Sequence, residues 1–264
     1  MTSIKKHVDT NRTQSLEIVW IKAKFNLRAE VQRNYLSYGW WIIEPLLYMA
    51  VYYVVFGVFL NRGGESFTTF LLTGLIPWMW FSKSVSSSSN SILAGQNLML
   101  QTGLPTIFFP LITLLQVSLK QLPVFLILII FIWSHGFSPN MHWWGLVPII
   151  VVQTILTIAI ACSIAAVIPF IRDLSYLVPT GLTLLMFLSG VFYDYRSISE
   201  EWQGVFMLNP IAFLLKSYRD VFMSTTSPDY AVLLFLGLCG AIGCILIFFF
   251  YQRLRYVYPR VVME

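Results

Sequence analysis

Six apolar runs constrain this chain more than any other feature: Tyr38–Leu60, Phe67–Val85, Ile107–Trp133, Leu146–Ile171, Leu174–Phe192 and Tyr230–Tyr251. A hydrocarbon core about 30 Å thick takes roughly 20 mostly apolar residues to cross as a helix. Backbone amides in lipid must pair within their own segment, so at these lengths helices are the economical solution. The expected fold is an all-α integral membrane protein: one domain over residues 1–264 with six transmembrane helices. Only 11% of the residues are charged, against about a quarter in a soluble domain. Between the fourth and fifth runs only Arg172-Asp173 intervenes, and Pro169 and Pro179 around it favour a tight reversal. The first fifteen residues are polar, so no removable signal peptide is expected.

Basic residues set the orientation. Seven precede the first run (Lys5, Lys6, Arg12, Lys22, Lys24, Arg28, Arg33) and three follow the last (Arg253, Arg255, Arg260). Cytoplasmic segments carry the excess of Lys and Arg, which places both termini inside. Lys83 and Arg172 then also fall inside, whereas Arg62, Arg196, Lys216 and Arg219 fall outside.

The longest external connection, Tyr193 to Asp229, contains "EEWQGVFMLNPIAFLLKSYRDVFM", too apolar for a solvated loop and too broken to span. Asn209-Pro210 divides it into halves of about ten residues, each reaching some 15 Å as a helix. Pro210 disfavours helix at Asn209 and can itself open the next helix. The expectation is a helical hairpin, 194–229, that dips into the outer leaflet and returns. A pair of helices resting on the membrane is the other reading.

Residues 14–36 read as an amphipathic interface helix. Leu16, Val19, Trp20, Ala23 and Leu27 share one face, and Ile18, Ile21 and Phe25 form a second stripe. A helix lying on lipid needs one stripe, so the second implies a further covering partner. Glu44 beside Pro45, and Lys120-Gln121 near Pro123, are polar groups at bilayer depth. They either pair within the bundle or line a polar passage. Tyr48, Tyr52, Phe56 and Phe59 recur at steps of four, four and three, which makes a strip on the first span. Such rings can pack helices or stack on sugar rings as a glycan slides past; Trp78 and Trp80 in "IPWMWF" add to this candidate surface. Seven serines between Ser82 and Ser91 allow close helix contact or a wet cavity.

Several chemistries lack their residues. There is no GxxxxGK[ST] loop, no metal-ligand spacing among His7, His135 and His142, and no paired carboxylates of a sugar-transferring site. Cys162, Cys239 and Cys244 lie in apolar runs without disulfide or metal spacing. No basic patch with interleaved aromatics supports nucleic-acid binding. Neither catalysis nor a metal or cofactor in this chain is expected.

The order of segments resembles the membrane subunits of ABC transporters that export bacterial polysaccharides, namely O-antigen, capsule and teichoic acid. The likeness rests on "RNYLSYGWWIIEPLLYMAVYYVVFG" (33–57), "FLLTGLIPWMWFSKSV" (70–85), "NLMLQTGLPTIFFP" (97–110), "IRDL" (171–174) and the hairpin "GVFYDYRSISEEW…LNPIAFLLKSYRDVF". It departs at Met99-Leu100-Gln101, where many relatives carry lysines. The resemblance implies a homodimer in the bacterial inner membrane, each copy docking an ATP-hydrolysing subunit that binds ATP and Mg. It implies a coupling helix over 97–105 (Asn97, Leu98, Met99, Leu100, Pro105). It also implies a polymer on a polyprenyl diphosphate or other lipid, whose head would meet Lys24, Arg28 and Arg33, and an external gate carrying Trp202, Asn209, Pro210 and Arg219. Two further readings are a permease for a drug or small lipid, and a membrane-embedded glycosyl- or acyltransferase. The second would need a His, Asp or Glu cluster near one interface that this sequence lacks.

Overall fold

The computed structural model describes residues 12–33, 39–52, 54, 55, 59, 66–102, 104–224 and 226–263. Among the described residues there is no strand, and α-helices take most of the chain. In order they are α1 (Arg12–Arg33), α2 (Gly39–Tyr52), α3 (Ser66–Ser89), α4 (Ser91–Ala94), α5 (Gln96–Thr102) and α6 (Phe108–Ser134). Then come α7 (Leu146–Val167), α8 (Leu174–Leu188), α9 (Glu200–Met207), α10 (Pro210–Phe222), α11 (Tyr230–Arg253) and α12 (Tyr258–Val261). Among the described residues three helical stretches are long and apolar enough to cross a membrane: Phe108–Ser134, Met141–Val167 and Tyr230–Arg253.

The remaining apolar runs make shorter or more polar helices, for local reasons. The fifth run extends to Phe192 in sequence, but α8 stops at Leu188 and the chain turns at Gly190, which takes φ +68°. A Cβ there would lie 2.9 Å from the Phe206 ring and 3.2 Å from the Tyr193 carbonyl oxygen, so only glycine fits. The first run is regular helix as far as Tyr52; Val54, Val55 and Phe59 then lie in wider π-type turns. α3 has the length of a span, but its last third is the serine stretch.

α3 is nonetheless the axis of the body. It packs against α6, α7, α8 and α10, and every residue from Leu71 to Phe81 is buried. A helix apolar on all sides belongs in the middle of a bundle. Pro77 inside it lacks a backbone N–H, and polar side chains from both neighbours reach this point. Gln121 of α6 donates to the Ile76 carbonyl at 3.3 Å, and Gln153 of α7 to the Pro77 carbonyl at 2.9 Å. Buried amides of this kind pin α6 and α7 to α3 without exposing polar groups to lipid. α11 lies along α7 on the far side.

The N-terminal helices join this body through charge. Lys120 of α6 pairs with Glu30 of α1 at 2.6 Å, and Lys83 of α3 pairs with Glu44 of α2 at 2.7 Å. Both charges expected at membrane depth are thus paired within the bundle. α1 also seats Ala23, fully buried, on Phe108 and Ile112 of α6, with Ile18 and Val19 alongside. Trp20, Ile21 and Phe25 face outward and are exposed. Ile21 and Phe25 of the second stripe, with Trp20 of the first, therefore form the outer face of α1, while Ile18 turns inward.

Candidate functional site

The end of α8 is where the external segment is built. α8 leaves its last carbonyls without intrahelical donors, as every helix does; one side chain of the α9–α10 segment bonds its last carbonyl and another those of the turn that follows. Asn209 caps α10: its Oδ1 accepts from the Ile211 and Ala212 amides at 3.0 and 3.4 Å, and Pro210 occupies the first turn. The same side chain turns its Nδ2 to the Leu188 carbonyl (3.2 Å) and the Ser189 hydroxyl (3.0 Å). Arg219, ten residues further along, donates to the Gly190 and Val191 carbonyls at 2.8 and 2.9 Å and to the Phe70 carbonyl at 3.3 Å. Its guanidinium lies 3.7 Å from the centre of the Phe70 ring. Gly74 makes room for it, since a Cβ there would sit 2.3 Å from Nη2.

Arg219 therefore ties α3, α8 and α10 together. Burial lowers its pKa to about 10, while Asp194 and Asp220 act the other way, so it stays charged at neutral pH. Beside it a cavity of about 130 Å³ is lined by Tyr195, Asp194, Lys216 and Asp220. Lys216 pairs with Asp220 at 3.2 Å and lies 5.6 Å from the Tyr195 ring centre. Asn209 and Arg219 are brought together at the end of α8 and the turn after it, and Pro210 opens the helix that carries Arg219. Trp202 stands apart on α9, well exposed.

At the opposite end, α4 and α5 form an elbow between α3 and α6. Gly95 at the elbow approaches Phe109 so closely that a Cβ would overlap its ring. α5 ends at Thr102, short of Pro105, whose carbonyl accepts from the Phe108 amide and opens α6. Met99 is buried, with Thr106 Oγ1 donating to its sulfur at 3.7 Å, and Leu98 is partly buried. Asn97 and Leu100 are exposed. Met99, the first residue of the stretch that departs from the resemblance, thus points inward.

The C-terminal tail, to which the sequence assigned no role beyond its charge, packs here. Tyr258 is fully buried, donates to the Ala166 carbonyl at 3.0 Å and stacks on Tyr251 with centroids 5.6 Å apart. α12 lies against α5. Its only signal in sequence is the aromatic spacing of Tyr251 and Tyr258.

The other candidate residues do not converge on one place. Lys24 and Arg28 are exposed on α1, and nothing of the Arg33 side chain is described. Lys22, which the sequence did not single out, lines a cavity of about 350 Å³ between α1, the end of α3 and α6, with Asn26, Ser87, Asn90 and Ser91. In the serine stretch Ser84, Ser88 and Ser89 are buried, Ser87 lines this cavity, and Ser91, itself buried, borders it. Tyr48 and Phe59 are exposed; the Tyr52 side chain and Phe56 lie outside the described residues. Trp78 and Trp80 are buried inside the single chain, Trp78 against Phe81 and Trp80 with its indole N–H on Ser118 at 3.2 Å.

Known proteins are similar to this chain in sequence over most of its length. An O-antigen export system permease protein (RfbA) of Klebsiella pneumoniae is 27% identical over 237 residues, covering 89% of this chain and 91% of the relative. The protein of the same name from Myxococcus xanthus is 30% identical over 216 residues, 80% of this chain and 82% of its own. The polysialic acid transport protein KpsM of Escherichia coli is 24% identical over 213 residues, 78% and 81% of the two chains. The family described as ABC-2 type transporter matches residues 19–223, which include the elbow, the α3 axis and the Asn209–Arg219 hold on α8. The chain is a multi-pass membrane permease of the ABC-2 type transporter family.

Proposed function

We propose that this chain is the channel-forming permease subunit of an ATP-driven exporter of a lipid-linked polysaccharide, acting in the bacterial inner membrane. The observation that carries the reading is the similarity to proteins named as O-antigen export permeases across about nine-tenths of both chains. Six spans are formed by the three long helices together with α2, α3 and α8, and both termini are cytoplasmic by the distribution of Lys and Arg. Two copies meet through apolar faces that a single chain leaves open. Val51 of α2 and Leu177, Leu184 and Leu188 of α8 are exposed residues of that kind. Tyr48, Tyr52, Phe56 and Phe59 line the corridor between the copies as a surface on which sugar rings slide.

ATP and Mg belong to a separate nucleotide-binding subunit, which docks on α5 through Asn97 and Leu100. Its motion passes through the Gly95 elbow into α3 and α6. The anionic lipid head is received along α1 by Lys24, Arg28 and Arg33. The α9–α10 segment re-enters the outer leaflet and shuts the corridor at rest. Backbone of this kind is tolerated at membrane depth only against protein or water, and the burial of α10 supports that placement. Deleting the gene tests the reading. The surface glycan should disappear and polymer should accumulate in the cytoplasm, with both reversed by the intact gene; a normal surface glycan would refute it.

A further inference from the structure

A cleft of about 260 Å³ opens between α6 and α7. Each of these helices packs broadly on α3 and much less on the other, so they diverge and leave Trp80 of α3 as a floor. Tyr218 and Phe222 of α10 form a further wall. Leu122 and Ile150, at the mouth, are exposed on two helices apolar enough to cross a membrane, so the opening faces hydrocarbon. Along α7 the lining runs from Leu146 to Thr154, about 12 Å at a rise of 1.5 Å per residue. That is close to the roughly 15 Å depth of one leaflet.

The polar groups of the wall are spoken for, with one exception. Trp80 donates to Ser118, Gln121 to the Ile76 carbonyl, and Thr154 to the Ile150 carbonyl. The Tyr218 hydroxyl is fully buried and has no hydrogen-bond partner among the described residues. An apolar cavity of about 150 Å³ already takes up benzene from water; a larger one open to lipid has a hydrocarbon chain at its mouth.

We infer that this cleft holds one acyl chain of a bilayer lipid. Because α10 supplies a wall, the chain braces that helix against α6 and α7. Which leaflet provides it rests on the topology proposed above; occupancy of the cleft does not.

Trp80 reports occupancy without any need for transport. The full chain is reconstituted in phosphatidylcholine vesicles, with or without bromine at mid-chain, and the emission lost in Trp80→Phe isolates Trp80 from the other tryptophans. Bromine should quench at least half of that emission, although Trp80 is buried, and Thr154→Phe, which plugs the mouth, should recover at least half of the loss. Equal Trp80 emission in the two vesicles would overturn the proposal, whether or not Thr154→Phe folds. So would recovery on adding a few mole per cent of polyprenyl monophosphate, which would assign the cleft to a prenyl chain. Loss of export with quenching intact would bear on the proposed function alone.

Discussion

α9 and α10 are joined by two residues and are held in opposite ways. α10 buries nine of its residues, including Ile211 to Leu215 and Tyr218, and is bonded through Asn209 and Arg219 to the end of α8. α9 buries none; Trp202, Val205 and Leu208 are exposed, and Ser199 before it makes no side-chain cap. Phe206, set against Gly190, is its closest attachment. Two helices of one apolar segment thus differ because one carries the groups that complete a neighbouring helix end. Elements with few buried contacts open at the lowest free energy. In this pair α9 is the loosely held arm and α10 the fixed post.

The largest test of that contrast removes the tie on the α10 side. Arg219→Met keeps the apolar stem but strands the Gly190, Val191 and Phe70 carbonyls. Hydrogen bonds to charged groups contribute about 1.5–3 kcal/mol each and are not additive, so a loss of about 3 kcal/mol is expected. Thermal unfolding of the detergent-solubilised protein measures it; a melting temperature within a degree of wild type would contradict the assignment. Gly74→Ala comes next, because the new methyl lies 2.3 Å from Nη2 and must displace the guanidinium. Residues that share a contact couple in double-mutant cycles. The cost of Gly74→Ala should fall by more than half in an Arg219→Met background. Equal costs in both backgrounds would place the strain elsewhere.

Much of this contrast can be read from the chain alone. Asn-Pro inside an apolar stretch marks both a helix end and the next helix start, and the break falls there. The span-length runs of α6, α7 and α11 are legible because a membrane core demands length and apolarity before anything else. What cannot be read is direction. α3 is apolar all round from Leu71 to Phe81, so no periodicity tells that Trp78 and Trp80 turn inward rather than onto a passage. Partners distant in sequence are equally silent: Glu30 and Lys120 stand ninety positions apart, and Tyr258 finds the Ala166 carbonyl ninety-two positions away. By charge Arg219 read as one external cation among four, and only the resemblance set it in the gate; its bonds to the Phe70, Gly190 and Val191 carbonyls left no mark in the sequence. Nor does the sequence tell that Met99 turns into a buried slot beside Thr106.

Asn209→Ala sharpens the comparison at the joint itself. It removes the cap of α10 and the tether to Ser189 together. Loss of an Asn cap costs about 1 kcal/mol, up to about 2, and the lost tether sets the expectation at the upper end. Asn209→Asp separates the two roles: a carboxylate still caps the α10 amides but can no longer donate to the Leu188 carbonyl. Its melting temperature should fall between those of wild type and Asn209→Ala. If Asn209→Asp matches wild type, the bond to α8 contributes nothing and α10 is held by Arg219 and burial alone.

The smallest effect on stability is expected on the α9 side. Exposed substitutions away from caps and packed groups change stability by under about 0.5 kcal/mol. Trp202→Ala with Leu208→Ala should therefore unfold like the wild type in detergent. The functional effect is where the two arms part. If α9 is the moving half of an external gate, loss of its apolar contacts leaves the closed state underpopulated. Proteoliposomes carrying the double variant should then leak a small trapped solute faster than wild type, without nucleotide. Arg219→Met, assayed at a temperature where it remains folded, tests the same point from the other side: if it leaks no more than the α9 variant, the post does not set the closed state. A tight double variant would mean that α9 is an ornament on the outer surface, and that closure belongs to α10.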